Sequence, residues 1–162
     1  MAHESRLTLE LRSLLHTQRV AALGTLFDDG TPLVSMVPFA LEPRSGRVVL
    51  HVSGLAAHSA HLRARPAVSL LVMRPEVAGE PVHALPRVTL RGTASVLEFD
   101  DDVRAACRTA YLARFPEAEP TTTLGDFRFV AITVTAARQV AGFGAARSVE
   151  GDDLAGVLRD AG

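Results

Sequence analysis

Lysine, asparagine and tryptophan are absent from this 162-residue sequence, and all 17 basic residues are arginine. A pyridoxal-phosphate Schiff base, a P-loop and a kinase strand each need a primary amine, so the missing lysine excludes them. The single cysteine, Cys107, excludes an internal disulfide, a four-cysteine zinc site and an iron–sulfur cluster. Its neighbours place it on a helix, where a buried structural thiol is expected rather than a nucleophile. No apolar run approaches the roughly 20 residues that cross a bilayer. The opening Met1-Ala2-His3-Glu4-Ser5-Arg6 runs into charges and lacks the pattern of a signal peptide. With 18 acidic against 17 basic side chains the net charge is −1, too little to draw the chain to nucleic acid or acidic lipid. A cytoplasmic protein without membrane or nucleic-acid partners is expected.

The length, with 48% apolar and 22% charged residues, suits one domain over residues 1–162 and excludes a disordered chain. A chain of this size buries roughly 70% of its unfolded surface and needs no disulfide or metal staple. Leu7, Leu11, Leu14 and Leu15 recur at helical spacing, predicting an amphipathic helix over about residues 4–18. Period-two segments follow at 20–27 and 32–40. Between them Asp28-Asp29-Gly30 is a hairpin signal, because glycine tolerates positive φ. The turn Glu42-Pro43-Arg44-Ser45-Gly46 leads into a strand at 47–53. Residues 54–65 lose the strand period and predict a short helix before Pro66. A strand at 67–73 precedes a loop at 74–86 that holds Pro75, Gly79, Pro81 and Pro86.

The clearest alternation comes next. Val88, Leu90, Gly92, Ala94 and Val96 share one face; Arg87, Thr89, Arg91, Thr93 and Ser95 share the other. A strand with such a polar face meets solvent or lines a site. Asp100 is read as the cap of a helix reaching Arg114, with Val103, Cys107 and Ala110 on one face and Pro116 as its stop. Asp100-Asp101-Asp102 would suit the positive end of that helix. Residues 121–125 read as a connector, 127–135 and 139–143 as strands, and 152–159 as a short terminal helix. Hairpin-linked strands with short helices between them predict a mainly β chain, an antiparallel barrel over about residues 20–145 with flanking helices. A doubly wound parallel sheet would need a crossover helix after nearly every strand.

His58 and His61 share a helix face, but no carboxylate or cysteine follows in a zinc pattern, so no metal site is assigned. Ser59 has no Gly-x-Ser-x-Gly elbow. The strand ending at Ser53 passes through Gly54 into a helix whose first turn is read as holding Ser53, His58 and Ser59. Such a start binds phosphate, and Arg63, Arg65, Arg87 and Arg91 supply guanidinium groups. An ordinary strand–turn–helix with a solvated arginine face fits the same pattern. Tyr111, Phe127, Phe129 and Phe143 fit core and interface packing better than a stacking platform, and Asp126 fits a turn or cap.

Two longer stretches add a resemblance. Leu14-Leu15-x3-Arg19-Val20-Ala21-Ala22-Leu23-Gly24-Thr25 and then Gly30-Thr31-Pro32-Leu33-Val34-Ser35-Met36-Val37-Pro38-Phe39-Ala40 resemble the opening of the pyridoxamine 5′-phosphate oxidase-like FMN-binding split barrels. Ser53-Gly54-Leu55-Ala56-Ala57-His58-Ser59-Ala60-His61-Leu62 is similar to the Ser-x-Leu-Ala-x-His-Thr-x-Asn-Leu stretch of the heme-utilisation (HugZ-like) branch. Pro86-Arg87-Val88-Thr89-Leu90-Arg91-Gly92-Thr93-Ala94 is similar to that branch's Pro-Arg-Val-Thr-Leu-x-Gly-x-Ala strand. Tyr111-Leu112-Ala113-Arg114-Phe115-Pro116, Gly125-Asp126-Phe127 and Gly142-Phe143-Gly144-x-Ala146 align in order, so the resemblance covers nearly the whole chain.

The resemblance implies a homodimer of split barrels with FMN at each subunit boundary. By position it implies that Val34, Ser35, Met36 and Val37 lie against the flavin ring. Ser53, Leu55, His58, Ser59 and His61 fall at the phosphate turn, and Arg87 is a further polar contact. His61 stands where the branch has asparagine, and Ser59 where it has threonine. Arginine must replace the lysines that assist phosphate binding in the oxidases proper. Three functions follow: a flavin-dependent oxidoreductase, a heme-binding or heme-degrading protein of iron utilisation, or a non-enzymatic dimer with a vestigial slot. Heme iron wants a proximal His, Cys, Met or Tyr, and the resemblance places that histidine in a C-terminal part where this sequence has none beyond His83; His58, His61 or His83 would have to substitute. Oxidation of pyridoxamine phosphate itself is not expected, because the substrate-clamping basic residues have no counterpart.

Overall fold

The computed structural model describes residues 4–159; Met1, Ala2 and His3, on which part of the leader reading rests, lie outside them. Helix α1 (Arg6–Thr17) starts where Ser5 Oγ accepts the Thr8 N–H at 3.2 Å, and it turns Leu11, Leu14 and Leu15 inward. Strands β1 (Val20–Leu26) and β2 (Pro32–Pro38) form the expected hairpin, with Gly30 at φ 83°. The remaining strands are β3 (Ala40–Leu41), β4 (Val48–Ser53), β5 (Ala67–Met73), β6 (Arg87–Val96), β7 (Phe127–Val140) and β8 (Ala146–Val149). Helices α2 (Ala57–Ala64), α3 (Arg104–Arg114) and α4 (Gly151–Leu158) complete the described elements, with short 3-10 turns at Val82–Ala84 and Pro116–Thr123.

The strands pair antiparallel in the order β2-β1-β5-β6-β7-β4-β3, with β8 added to β7. This sheet curls around its apolar face, and the helices flank it: the mainly β split barrel that the resemblance implies. Alternate residues such as Leu23, Leu50, Leu70, Leu90 and Ile132 fill the inside, and the α1 leucines together with Leu154 and Val157 of α4 close it. A second cluster lies on the other side of β4 and β7, where Val49, Phe129 and Ala131 pack against Cys107, Tyr111 and Phe115. Helix α3 therefore covers the outer face of β4 and β7. Among the described residues no helix covers the outer face of β2, β1, β5 and β6.

Several boundaries differ from the sequence reading. The segments expected at 127–135 and 139–143 are one 14-residue strand, because β6 and β8 supply ladder partners across Ala136 and Ala137 where intrinsic strand preference is low. Strand β8 had no signal of its own. Helix α3 begins at Arg104 rather than at Asp100: the Asp101 carboxylate accepts the Val103 N–H at 3.1 Å, so the acidic run forms a turn before the helix. Ser53 ends β4 and stands outside α2, which starts at Ala57 with no side-chain cap.

Candidate functional site

The register defines the uncovered face. Across one row stand Met36, Ala22, Leu71, Thr89 and Arg138; across the next stand Val34, Gly24, Ser69, Arg91 and Ala136. Towards one end Pro38 pairs Val20, and Met73 pairs Arg87, which pairs Val140. This plate is apolar on its β2–β1 side and cationic on its β6–β7 side. Val34 is 69% exposed and Met36 70%, high values for large apolar side chains on a sheet. A shallow groove of about 630 Å³ crosses its small residues Gly24, Ala67, Ser69 and Gly92, with Arg91 on its border. Of the four β2 residues assigned to a ring, Val34 and Met36 project onto the plate. Val37 points into the core and Ser35 shares its side of the strand.

Arg87 anchors the plate's end. Its Nη1 donates to the Leu85 carbonyl at 2.8 Å and to the His83 carbonyl at 3.3 Å. That fastens the 3-10 turn Val82–Ala84 to the start of β6. The same sheet end carries the β7–β8 loop, closed by Ala141 N–H donating to the Ala145 carbonyl at 2.9 Å. Gly142 and Gly144 at its tip have φ of 127° and 73°, and Phe143 between them is 75% exposed. Phe143 thus takes no part in the core of the chain, whereas Tyr111 and Phe129 do.

The strand-to-helix turn lies at the other end. Ser53 pairs with Phe127 at the start of β7, while Arg87 pairs with Val140 at its finish. Ser53 Oγ accepts the Leu55 N–H at 3.2 Å and lies 3.5 Å from the Asp126 carboxylate. Ser59 Oγ donates to the Ser53 carbonyl at 2.5 Å, and Leu55 is 88% exposed. His61 is buried at 8% exposure, with Nδ1 3.1 Å from Thr25 Oγ1 and its ring edge-on to Phe27 at 4.4 Å. It faces a cleft of about 680 Å³ with Phe27, Asp28, Asp29 and Thr31. His58 is half-buried, and burial together with the neighbouring His61 holds its pKa below the ordinary histidine value. Arg63 pairs with Glu98 at 3.0 Å and Arg65 with Asp28 at 2.6 Å, so neither guanidinium is committed to the turn.

The chain therefore separates the expected site residues into two groups. Arg87, Val34 and Met36 belong to the plate, and Ser53, Leu55, His58, Ser59 and His61 to the turn. Val20, Leu71 and Met73, absent from the sequence-based set, complete the plate. Their signal was the period-two pattern of β1 and β5, read across strands only once pairing is known. Among the described residues no group of three or more His, Cys, Asp or Glu side chains stands ready to hold a metal ion, and no helix is long and apolar enough to cross a membrane.

The family model described as pyridoxamine 5′-phosphate oxidase matches residues 7–141. The chain belongs to this family. It is 30% identical over 152 residues to the heme oxygenase HutZ of Vibrio cholerae, covering 93% of this chain and 85% of that protein. It is 38% identical over 135 residues to the chloroplastic non-canonical heme oxygenase HOZ of Arabidopsis thaliana, covering 82% of this chain and 40% of the relative. The structure of a heme binding protein from Mycobacterium smegmatis superimposes with a TM-score of 0.83 at 31% identity, covering 96% of this chain and 62% of that one. The family member described here thus spans less than two thirds of the length of two of these relatives.

Proposed function

We propose that this member of the pyridoxamine 5′-phosphate oxidase family binds heme, and that it does so as a homodimer with the ring held at the subunit boundary. The observation that carries the reading is the divided plate. Val20, Val34, Met36 and Met73 offer an apolar surface, and Arg87, Arg91 and Arg138 border it with guanidinium groups. A planar macrocycle with carboxylate arms needs that combination: apolar contact for the ring, and forked donors for the carboxylates. The relatives named as heme oxygenases and as a heme binding protein support the same ligand.

FMN, the ligand expected from the resemblance, fits less well. Its phosphate would meet the turn where the Ser53 and Ser59 hydroxyls already bond within the chain and the Asp126 carboxylate stands close by. The nearby Arg63 and Arg65 are engaged by acidic partners.

A second copy of the chain accounts for the exposed β2–β1 side of the plate. Two-fold packing of this face about an axis running across the strands would lay the Arg87 end of one subunit beside the Ser53–His61 turn of the other, reuniting the separated groups. Bound heme supplies a redox-active iron for oxygen chemistry. The chain's own part is to shed water from the ring through Val34 and Met36 and to orient the carboxylates through Arg91 and through the N–H groups of Arg87 that the His83 and Leu85 carbonyls leave free.

The test is titration of the purified protein with hemin and, separately, with FMN, alongside light scattering for mass. A Soret band that saturates at one hemin per subunit, in a protein of twice the chain mass, is expected. Saturable flavin binding with no saturable Soret change would overturn the heme reading, and a monomer at micromolar concentration would overturn the dimer.

A further inference from the structure

Heme iron needs an axial side chain; Met36 and Met73 lie within the apolar surface that takes the ring, and the described histidine, cysteine and tyrosine residues narrow the remaining choice. His16 Nε2 lies 3.3 Å from the Val157 carbonyl, between α1 and α4. The His51 ring is stacked on Phe129 at 4.5 Å and flanked by Phe127 and Tyr111. His61 is buried against Thr25 and Phe27. Cys107 and Tyr111 are core residues. His58 belongs to the turn, at the far end of its own chain's sheet from Arg87, and it is half-buried there, so the second copy would bring a less open imidazole than His83 to the Arg87 end. His83 alone among these histidines is both exposed and attached to the plate. Arg87 projects on the plate side of β6, and its guanidinium holds the carbonyls of His83 and Leu85. That contact ties the backbone of the 3-10 turn to the end of the sheet where β6 begins.

The surroundings suit a flat apolar ligand. Val82 is 52% exposed, Met73 42% and Phe143 75%, all at this end of the sheet. Pro81 and Pro86 bracket the turn, and Arg87 pins it, so the backbone that carries the exposed His83 is already ordered. Phe143 is presented by a loop that its own hydrogen bonds close, as a preformed stacking surface.

We infer that His83 is the side chain of this protein that ligates heme iron, with Phe143 covering the ring from the β7–β8 loop. This rests on the heme-binding reading and adds the end of the plate and the residue that take the metal. In the dimer the Arg87 end is the gripping end, and the turn of the second subunit forms the far wall.

Equilibrium titrations of wild type, His83→Ala, His58→Ala and Phe143→Ala with hemin and with iron-free protoporphyrin IX test it. His83→Ala should weaken hemin binding more than tenfold, shift the Soret maximum and ferric spin state, and recover on adding imidazole. It should change protoporphyrin affinity less than twofold, because that ring has no iron to ligate. Phe143→Ala should weaken both ligands by a similar factor of several-fold. An unchanged His83→Ala spectrum, or equal loss of hemin and protoporphyrin, would overturn the ligand assignment while leaving heme binding in place. Spectral loss in His58→Ala with His83→Ala intact would move the ligand to the turn and overturn it too. Absence of a saturable hemin spectrum in wild type would remove this inference together with the reading beneath it.

Discussion

Arg114 Nη1 donates to the Phe39 carbonyl oxygen at 3.1 Å while its guanidinium carbon lies 5.2 Å from the centre of the Phe39 ring. The same group reaches the Gln18 carbonyl at 2.9 Å and the His16 carbonyl at 3.1 Å. One side chain of α3 thus caps the C-terminus of α1 and secures the passage from β2 to β3.

Arg114→Ala leaves those carbonyls without a donor and removes the cation from the ring, so a loss of about 2–4 kcal/mol is expected. Arg114→Lys should recover less than half, because an ammonium cannot reproduce the fork. Urea unfolding midpoints of the two variants decide this.

Gly92 sits at the register shift of β6, where Arg91 pairs Ala136 and Gly92 pairs Val134. A Cβ there would collide with the Thr133 carbonyl oxygen, while one at Gly125 would meet nothing within 4 Å. Gly92→Ala should cost about 1–3 kcal/mol through a displaced ladder, and Gly125→Ala should be nearly silent. Thermal melts of the pair report the difference.

His51 has its pKa pulled from 6.5 down to about 4, by burial and then by the charge of Arg104. The unfolded chain therefore takes up a proton before the folded one does. The stability linked to His51 is complete above the unfolded value of 6.5 and drains away as pH falls towards 4. His51→Phe keeps the stack on Phe129 and should flatten the unfolding midpoint between those limits. A slope equal to that of wild type would contradict the assignment.

Cys107 is 1% exposed, and burial raises its thiol pKa to about 11. Iodoacetamide at pH 8 should leave it unmodified for hours and label it at once in denaturant. Intact mass before and after denaturation provides the measurement.

Arg87→Ala should weaken hemin binding about tenfold or more, and Arg104→Ala by less than twofold. Arg104 lies over the Phe99 ring and donates to the Thr122 carbonyl, away from the plate. Equal affinities for the two variants would remove Arg87 from the site.

The hairpin at Asp28-Asp29-Gly30, the leucines of α1 and the Arg/Thr alternation of β6 were all legible in the residues, because each rests on local chemistry. The continuity of β7 was not: its middle is sustained by β6 and β8, pairings far apart in sequence. The site was half legible. Residue types singled out Arg87 and the β2 segment, but the bonds of Arg63 to Glu98 and of Arg65 to Asp28 depend on distant chain meeting them. The parting of the turn from the plate likewise appears only in three dimensions.

Strand β7 runs unbroken from the partner of Ser53 to the partner of Arg87 and carries β4, β6 and β8 along its edges. Its amides should be the slowest in the molecule to exchange with deuterium, since releasing them demands that three ladders part together. Whatever settles at either extremity will therefore be felt as added protection along the whole of it.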